Sequence, residues 1–244
     1  MFKTVRALVL REVKYKEADR ILTVLTDSDG KMTLKAPGAL RKTSKFGAAT
    51  QVLTYGELTL FGNRGRWTVR EGTVLDSFEG LRSDLESMAV AAYLAEVLET
   101  VSVEDVPTAG VLQLGLNSLY ALSRDLCPRE QVKGAFELRL ACLTGYAPFL
   151  DGCVLCGRTE GPMSFSPRMG GLVCSACDRR GGAELSPDCL QAMRYVAHAP
   201  ARKLFSFSLT GDAAREFYVT SELYLLSQLE RNFPALEYYK RIKG

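Results

Sequence analysis

Two Cys-x2-Cys pairs, Cys153–Cys156 and Cys174–Cys177, constrain this chain more than any other feature. The seventeen residues between them must double back so that two short turns face each other. A two-residue gap lets both sulfurs of one turn face the same ion. Two such turns close a tetrahedron with Zn–S bonds of about 2.3 Å. Gly157, directly after the first pair, suits a knuckle that needs free backbone. The spacing therefore predicts one structural zinc ion held by Cys153, Cys156, Cys174 and Cys177. Catalytic zinc keeps a position open for water, and four thiolates leave none. No Glu stands beside a ligand as a deaminase needs, and the Gly/Arg-rich surroundings do not resemble the start of a βαβ redox unit.

The remaining chemistry-bearing residues point away from catalysis. Cys127, Cys142 and Cys189 lie in or beside helical stretches without partners at ligand spacing and read as small buried hydrophobes. The single histidine, His198, closes a helix without an acid–base partner in sequence. No phosphate-binding loop and no nucleophile elbow occurs. The odd count of seven cysteines suits a reducing compartment, where thiols stay free or bind metal. The first residues lack the apolar run of a signal peptide. No window reaches the ~18 apolar residues that a membrane span needs. These features predict a cytoplasmic protein that uses neither a membrane nor a small-molecule substrate.

Periodicity divides the chain. Residues 1–80 read as β: "RILTVLT" and "KMTLKA" flank an Asp29-Gly30 turn, and "QVLTYGELTLF" and "RWTVREGTVLDSF" flank "GNRG". Five or so short strands in this length predict a small closed barrel or sandwich, with an OB-type barrel as the natural candidate and "PGALRKTSKFGAAT" as a long loop. Residues 81–244 read as α. Leu81, Leu85, Met88, Ala92 and Ala95 form one apolar stripe, and Val132, Phe136, Leu140 and Leu143 another. Pro107 and Pro128 are expected to open helices, Gly145 to stop one, and Ser186-Pro187 to cap and start one. A last helix ends before Pro234. The predicted architecture is α+β: an OB-type barrel over 1–80, then a helical domain over 81–244 with a zinc-binding insert at 150–183.

Charge is spread unevenly. Residues 1–80 carry 14 Lys/Arg against 9 Asp/Glu, and residues 81–244 carry 17 against 19. From Gly30 to Gly56 there are Lys31, Lys35, Arg41, Lys42 and Lys45 and no acidic residue, which favours a polyanion site. Trp67 stands between Arg66 and Arg70, with Arg64 nearby, as in strand-binding grooves where aromatics stack on bases. Tyr55 and Phe61 in the same stretch read as barrel core. Arg158, Arg168, Arg179 and Arg180 crowd the cysteine insert and would be either a second phosphate contact or solvated side chains.

Three stretches resemble one family. "ALVLREVKYKEADRILTVLT" resembles the opening of the bacterial recombination mediator family RecO, with Glu17-Ala18-Asp19-Arg20 matching its acidic-Arg motif. "KAPGALRKTSKFG" is similar to its basic loop, with Pro37 where the family more often has another residue. "FELRLACLTGYAPFLDGCVLCG" is similar to the stretch that leads into its zinc knuckles. The resemblance implies an OB barrel, a helical domain and a zinc knob. It also implies binding to single- and double-stranded DNA, annealing of complementary strands and action with RecR. Recombinase would be loaded on strands coated by single-strand-binding protein, without nucleotide-driven turnover, in a cytoplasm where repair brings the protein to the nucleoid. Lys35, Arg41, Lys42 and Lys45 would then line a DNA track with Arg64, Arg66 and Trp67. An RNA-binding OB protein with a zinc ribbon, acting in translation or transcription, is the alternative. A scaffold that touches no nucleic acid is the third reading.

Overall fold

The computed structural model describes residues 1–63, 65–178 and 184–243. Arg64, Arg179 and Arg180 therefore lie outside the described residues. Five strands build the N-terminal half: β1 (Phe2–Tyr15), β2 (Asp19–Thr26), β3 (Lys31–Ala36), β4 (Tyr55–Asn63) and β5 (Arg66–Asp76). They close into a barrel in the order β1-β2-β3-β5-β4, the five-stranded OB-type topology. Closure rests on a short parallel pairing of β3 with β5, Leu34 opposite Trp67 and Lys35 opposite Thr68. A bulge between Val9 and Arg11 lets the long β1 bend and pair with both β2 and β4. Strand alternation sends Val5, Ala7, Val9, Leu22, Val24, Leu34, Leu58 and Leu60 inward, and these fill the barrel.

Gly30 does more than make the β2–β3 turn. Its φ is +64°, and a Cβ there would lie 2.3 Å from the Val103 carbonyl oxygen and 2.4 Å from that of Val106. The backbone of 103–106 is thus in direct contact with the turn, and Lys31 N–H donates to the Val103 oxygen at 3.1 Å.

The helices follow: α1 (Leu85–Val101), α2 (Ala109–Ser123), α3 (Arg129–Leu143), α4 (Pro187–His198), α5 (Gly211–Leu229) and α6 (Pro234–Ile242). Two compact units result: residues 1–124 with 233–244, and residues 125–232. The change of periodicity near residue 80 marks the end of the barrel strands, whereas compactness divides the chain after Arg124. In the first unit, α1 starts at Asp84, whose carboxylate accepts from Ser87 N–H at 2.9 Å. Its Tyr93 meets Phe233, the cap residue just before α6, with ring centroids 5.6 Å apart.

The expected stripe on α1 is corrected. Leu81 belongs to a 3-10 turn before the helix, and Leu85 is 61% exposed. Leu81 and Ala95 are buried as expected and Met88 and Ala92 are half-buried, while the larger buried side chains of the helix are Val90, Tyr93, Leu94, Val97 and Leu98. The reason is that the helix packs against barrel strands, α2 and α6 together, so burial spans more than one stripe. Pro107 likewise stands one residue before the Thr108 cap, and Leu143 is exposed at the end of α3. Ser186 caps α4 as expected, its hydroxyl accepting from Cys189 N–H at 3.3 Å.

The second unit packs α3, α4 and α5 with a small sheet of β6 (Phe149–Cys153), β7 (Met163–Ser166) and β8 (Gly171–Cys174), ordered β6-β8-β7. Tyr224 on α5 donates from its hydroxyl to the Tyr146 carbonyl at 2.9 Å and meets Phe165 edge-on at 5.2 Å. Among the described residues no helix is long and apolar enough to cross a membrane.

Candidate metal centre and nucleic-acid interface

The two knuckles sit at the ends of β6 and β8. Gly157 N–H donates to the Cys153 oxygen at 2.8 Å, and Cys177 N–H donates to the Cys174 oxygen at 2.9 Å. Each is a tight turn that presents two sulfurs on one side, and Gly157 takes a φ of +74° to complete the first. All four sulfurs lie within 4.8 Å of one another, with Cys156 Sγ and Cys174 Sγ 3.6 Å apart. Sulfurs at the corners of a tetrahedral zinc–thiolate site stand roughly 3.8 Å apart, from Zn–S bonds of about 2.3 Å. The cluster therefore fits one metal ion. Backbone hydrogen bonds, first from Cys174, draw Cys153 down to about 6, while hydrogen bonds with the neighbouring thiols, first Cys156, push Cys177 up to about 12. A cation shared by all four would hold them as thiolates.

The other cysteines differ. Cys189 is buried and Cys127 and Cys142 are half-buried. Burial pushes Cys127 up to about 11 and Cys189 up to about 12, so these thiols stay protonated and unreactive. His198 is exposed at the end of α4.

The basic loop between β3 and β4 is held at both ends by Asp19 and Arg20, which open β2. Asp19 accepts from Gly38 N–H at 2.8 Å and pairs with Lys35 Nζ at 3.2 Å. The Gly38 hydrogen bond, with the Lys35 ammonium, holds this carboxyl below its ordinary range. Arg20 donates from Nη1 to the Gly47 and Thr50 carbonyls at 3.3 Å each and to the Thr50 hydroxyl at 3.2 Å. Its Nε lies 3.3 Å from Glu12. Between these anchors, Arg41, Lys42 and Lys45 are exposed and have no ion-pair partner among the described residues.

The remaining expected residues divide. Lys35 is engaged with Asp19 and stands 5.6 Å from the Tyr15 ring centroid. Arg66 is exposed on the β4–β5 hairpin. Trp67 is half-buried, packed on the barrel core, and Gly62 leaves it room: a Cβ there would stand 2.6 Å from the ring. Arg158 and Arg168 are exposed on the metal knob. Phe61 is not barrel core: it lies outside the core cluster and pairs in register with exposed Phe2 on β1. The alternation of Leu58 and Leu60 could have revealed this, because it turns residue 61 outward. The bracing by Asp19 and Arg20 had a signal too, in the acidic-Arg pair that opens β2.

The fold and the site together define a class: an OB-type barrel joined to a helical body that carries a four-thiol metal knob. Comparison with known proteins narrows it. The family model described as Recombination protein O N terminal matches residues 1–78, and that described as Recombination protein O C terminal matches residues 82–237. A protein named DNA repair protein RecO from Acetivibrio thermocellus is 36% identical over 238 residues, covering 96% of this chain and 95% of its own. Its namesake from Symbiobacterium thermophilum is 30% identical over 246 residues, covering 98% and 97%. That from Clostridium perfringens is 28% identical over 237 residues, covering 97% and 96%. This chain belongs to the RecO family of DNA repair proteins.

Proposed function

We propose that this chain binds single- and double-stranded DNA by its phosphates, anneals complementary strands and helps load recombinase onto strands coated by single-strand-binding protein, with RecR as its partner. The observation that carries this reading is the braced loop with Arg41, Lys42 and Lys45 exposed and unpaired on an OB-type barrel. Family membership supports it. Lysine and arginine that meet phosphates give sequence-independent, salt-sensitive affinity. Strands held by their backbones keep their bases free to pair, which annealing requires. Lys35, Arg64, Arg66 and Trp67 belong to the same track, with Lys35 acting partly through Asp19. Arg158, Arg168, Arg179 and Arg180 are a secondary contact. The protein works by binding, without turnover, in the cytoplasm and at the nucleoid during repair.

The ion proposed at Cys153, Cys156, Cys174 and Cys177 is zinc, which suits a four-thiolate set. Its contribution is to fold the knob, since the thiolates fill its coordination shell.

Salt dependence tests the DNA track. Each phosphate neutralised on a single strand adds about −0.7 to the slope of log K against log salt. Replacing Arg41, Lys42 and Lys45 together by Ala should therefore make the slope shallower by about 2. An unchanged slope in a folded triple variant refutes the assignment, and equal annealing of RNA and DNA would shift the reading toward RNA.

A further inference from the structure

An aromatic pair stands on the outside of the barrel. Leu58 and Leu60 of β4 point into the core, so alternation turns Phe61 outward. Phe61 lies opposite Phe2 of β1, their ring centroids 5.2 Å apart and their planes tilted by 56°. Phe2 is 67% exposed. On the other side of Phe61, β5 carries a bulge: Thr59 opposes Glu71 and Leu60 opposes Val69, which leaves Arg70 as the extra residue. Bulges re-aim side chains, and here the Arg70 guanidinium stands 5.3 Å from the Phe61 ring centroid. Arg66 and Arg70 are both exposed, and neither has an ion-pair partner among the described residues.

We infer that Phe2, Phe61 and Arg70 form a stacking platform for the unpaired bases of a single nucleic-acid strand, with Arg66 and Arg70 meeting its phosphates. The inference rests on the nucleic-acid binding proposed above and adds a base-stacking surface, which shares Arg66 with the phosphate-holding track. The chemistry selects this occupant. The exposed Phe2 ring, with half-buried Phe61 beside it, offers a face to any base, whatever its sequence. A guanidinium beside the ring stacks by its plane and still donates N–H groups at its edge to a phosphate. An apolar protein segment would use the rings but leave both unpaired guanidinium groups without an anion. A duplex hides its base faces, so the platform distinguishes a single strand from a duplex.

The full chain, titrated at one salt concentration with labelled oligo-dT, an abasic strand of equal length and a duplex, tests this. Phe2→Ala with Phe61→Ala should weaken oligo-dT binding about tenfold, the scale of losing one stacked base. The abasic strand and the duplex should stay within about twofold. Phe2→Ala with Phe61→Leu keeps an apolar β4 side chain and should give the same selective loss if the double alanine variant unfolds. Equal affinity of folded variant and wild type for oligo-dT overturns the platform while leaving the loop reading intact, as does an equal loss on all three probes. Failure of the wild type to bind any probe overturns both.

Discussion

Arg20 contributes no charge to the surface of the loop it braces. It holds the Gly47–Thr50 end through three acceptors, while Asp19 holds the Gly38 end. A loop held in its binding shape loses less entropy when it meets a strand. Arg20→Ala should therefore weaken single-strand binding by about 0.5–1.5 kcal/mol, the scale of ordering one side chain. The salt slope should stay as in the wild type, because Arg41, Lys42 and Lys45 remain. A shallower slope would mean that Arg20 itself meets a phosphate. The Asp19 tether has a definite pH range. Its folded pKa is lowered from 3.8, so its contribution is fully present above that value and is lost as the pH falls through the lowered one. The brace thus holds at neutral pH, and oligo-dT affinity measured between pH 6 and 8 should carry no contribution from Asp19 titration.

Among the elements, α3 and α5 enclose a buried charge cluster. Lys133 Nζ lies 2.9 Å from Glu137 and 2.7 Å from Glu222, with the lysine side chain 5% and the Glu137 side chain 0% exposed. Burial alone would lower the lysine pKa, but the two carboxylates raise it above its ordinary value, so the ammonium stays charged. Removing the lysine takes the near cation from two carboxylates in a largely buried site, a change that destabilises strongly. Lys133→Ala should lower stability by about 3–5 kcal/mol, read as a fall in melting temperature or denaturation midpoint. A variant that melts with the wild type would show that water reaches these carboxylates. The cluster also explains why the apolar stripe read on α3 was too narrow: Gln131, Lys133 and Glu137 are buried as well, and polar residues at core positions break a pattern that looks only for hydrophobes.

At the level of the whole molecule, the basic loop and the metal centre belong to different compact units. Metal removal should therefore act chiefly on stability, and on DNA binding only through the secondary contact on the knob. Chelation, or Cys153→Ser, should lower the melting temperature, and added zinc should restore the chelated protein. DNA affinity measured where both forms are folded should keep the loop's share and lose at most the secondary contact on the knob, a fall smaller than the tenfold that about 1.4 kcal/mol would bring. A metal-free Cys153→Ser variant as stable as the wild type would remove the structural role from the ion.

The sequence by itself determined the hairpin at Asp29-Gly30, the strand-to-helix change near residue 80, the cap at Ser186 and the gathering of the four cysteines. Each is set by residues near one another in the chain, where turn chemistry, side-chain period and ligand spacing act directly. Tertiary structure alone decided which side chains near the basic loop are free. Lys35 and Arg41 look alike in sequence, yet Lys35 is drawn to Asp19 across the β2–β3 pairing while Arg41 is left to solvent. It decided the fate of the aromatics as well: Trp67 packs half-buried against the barrel core, while half-buried Phe61 turns away from it toward Phe2. Register and bulges set these outcomes, and both depend on pairing between strands that are distant in the chain.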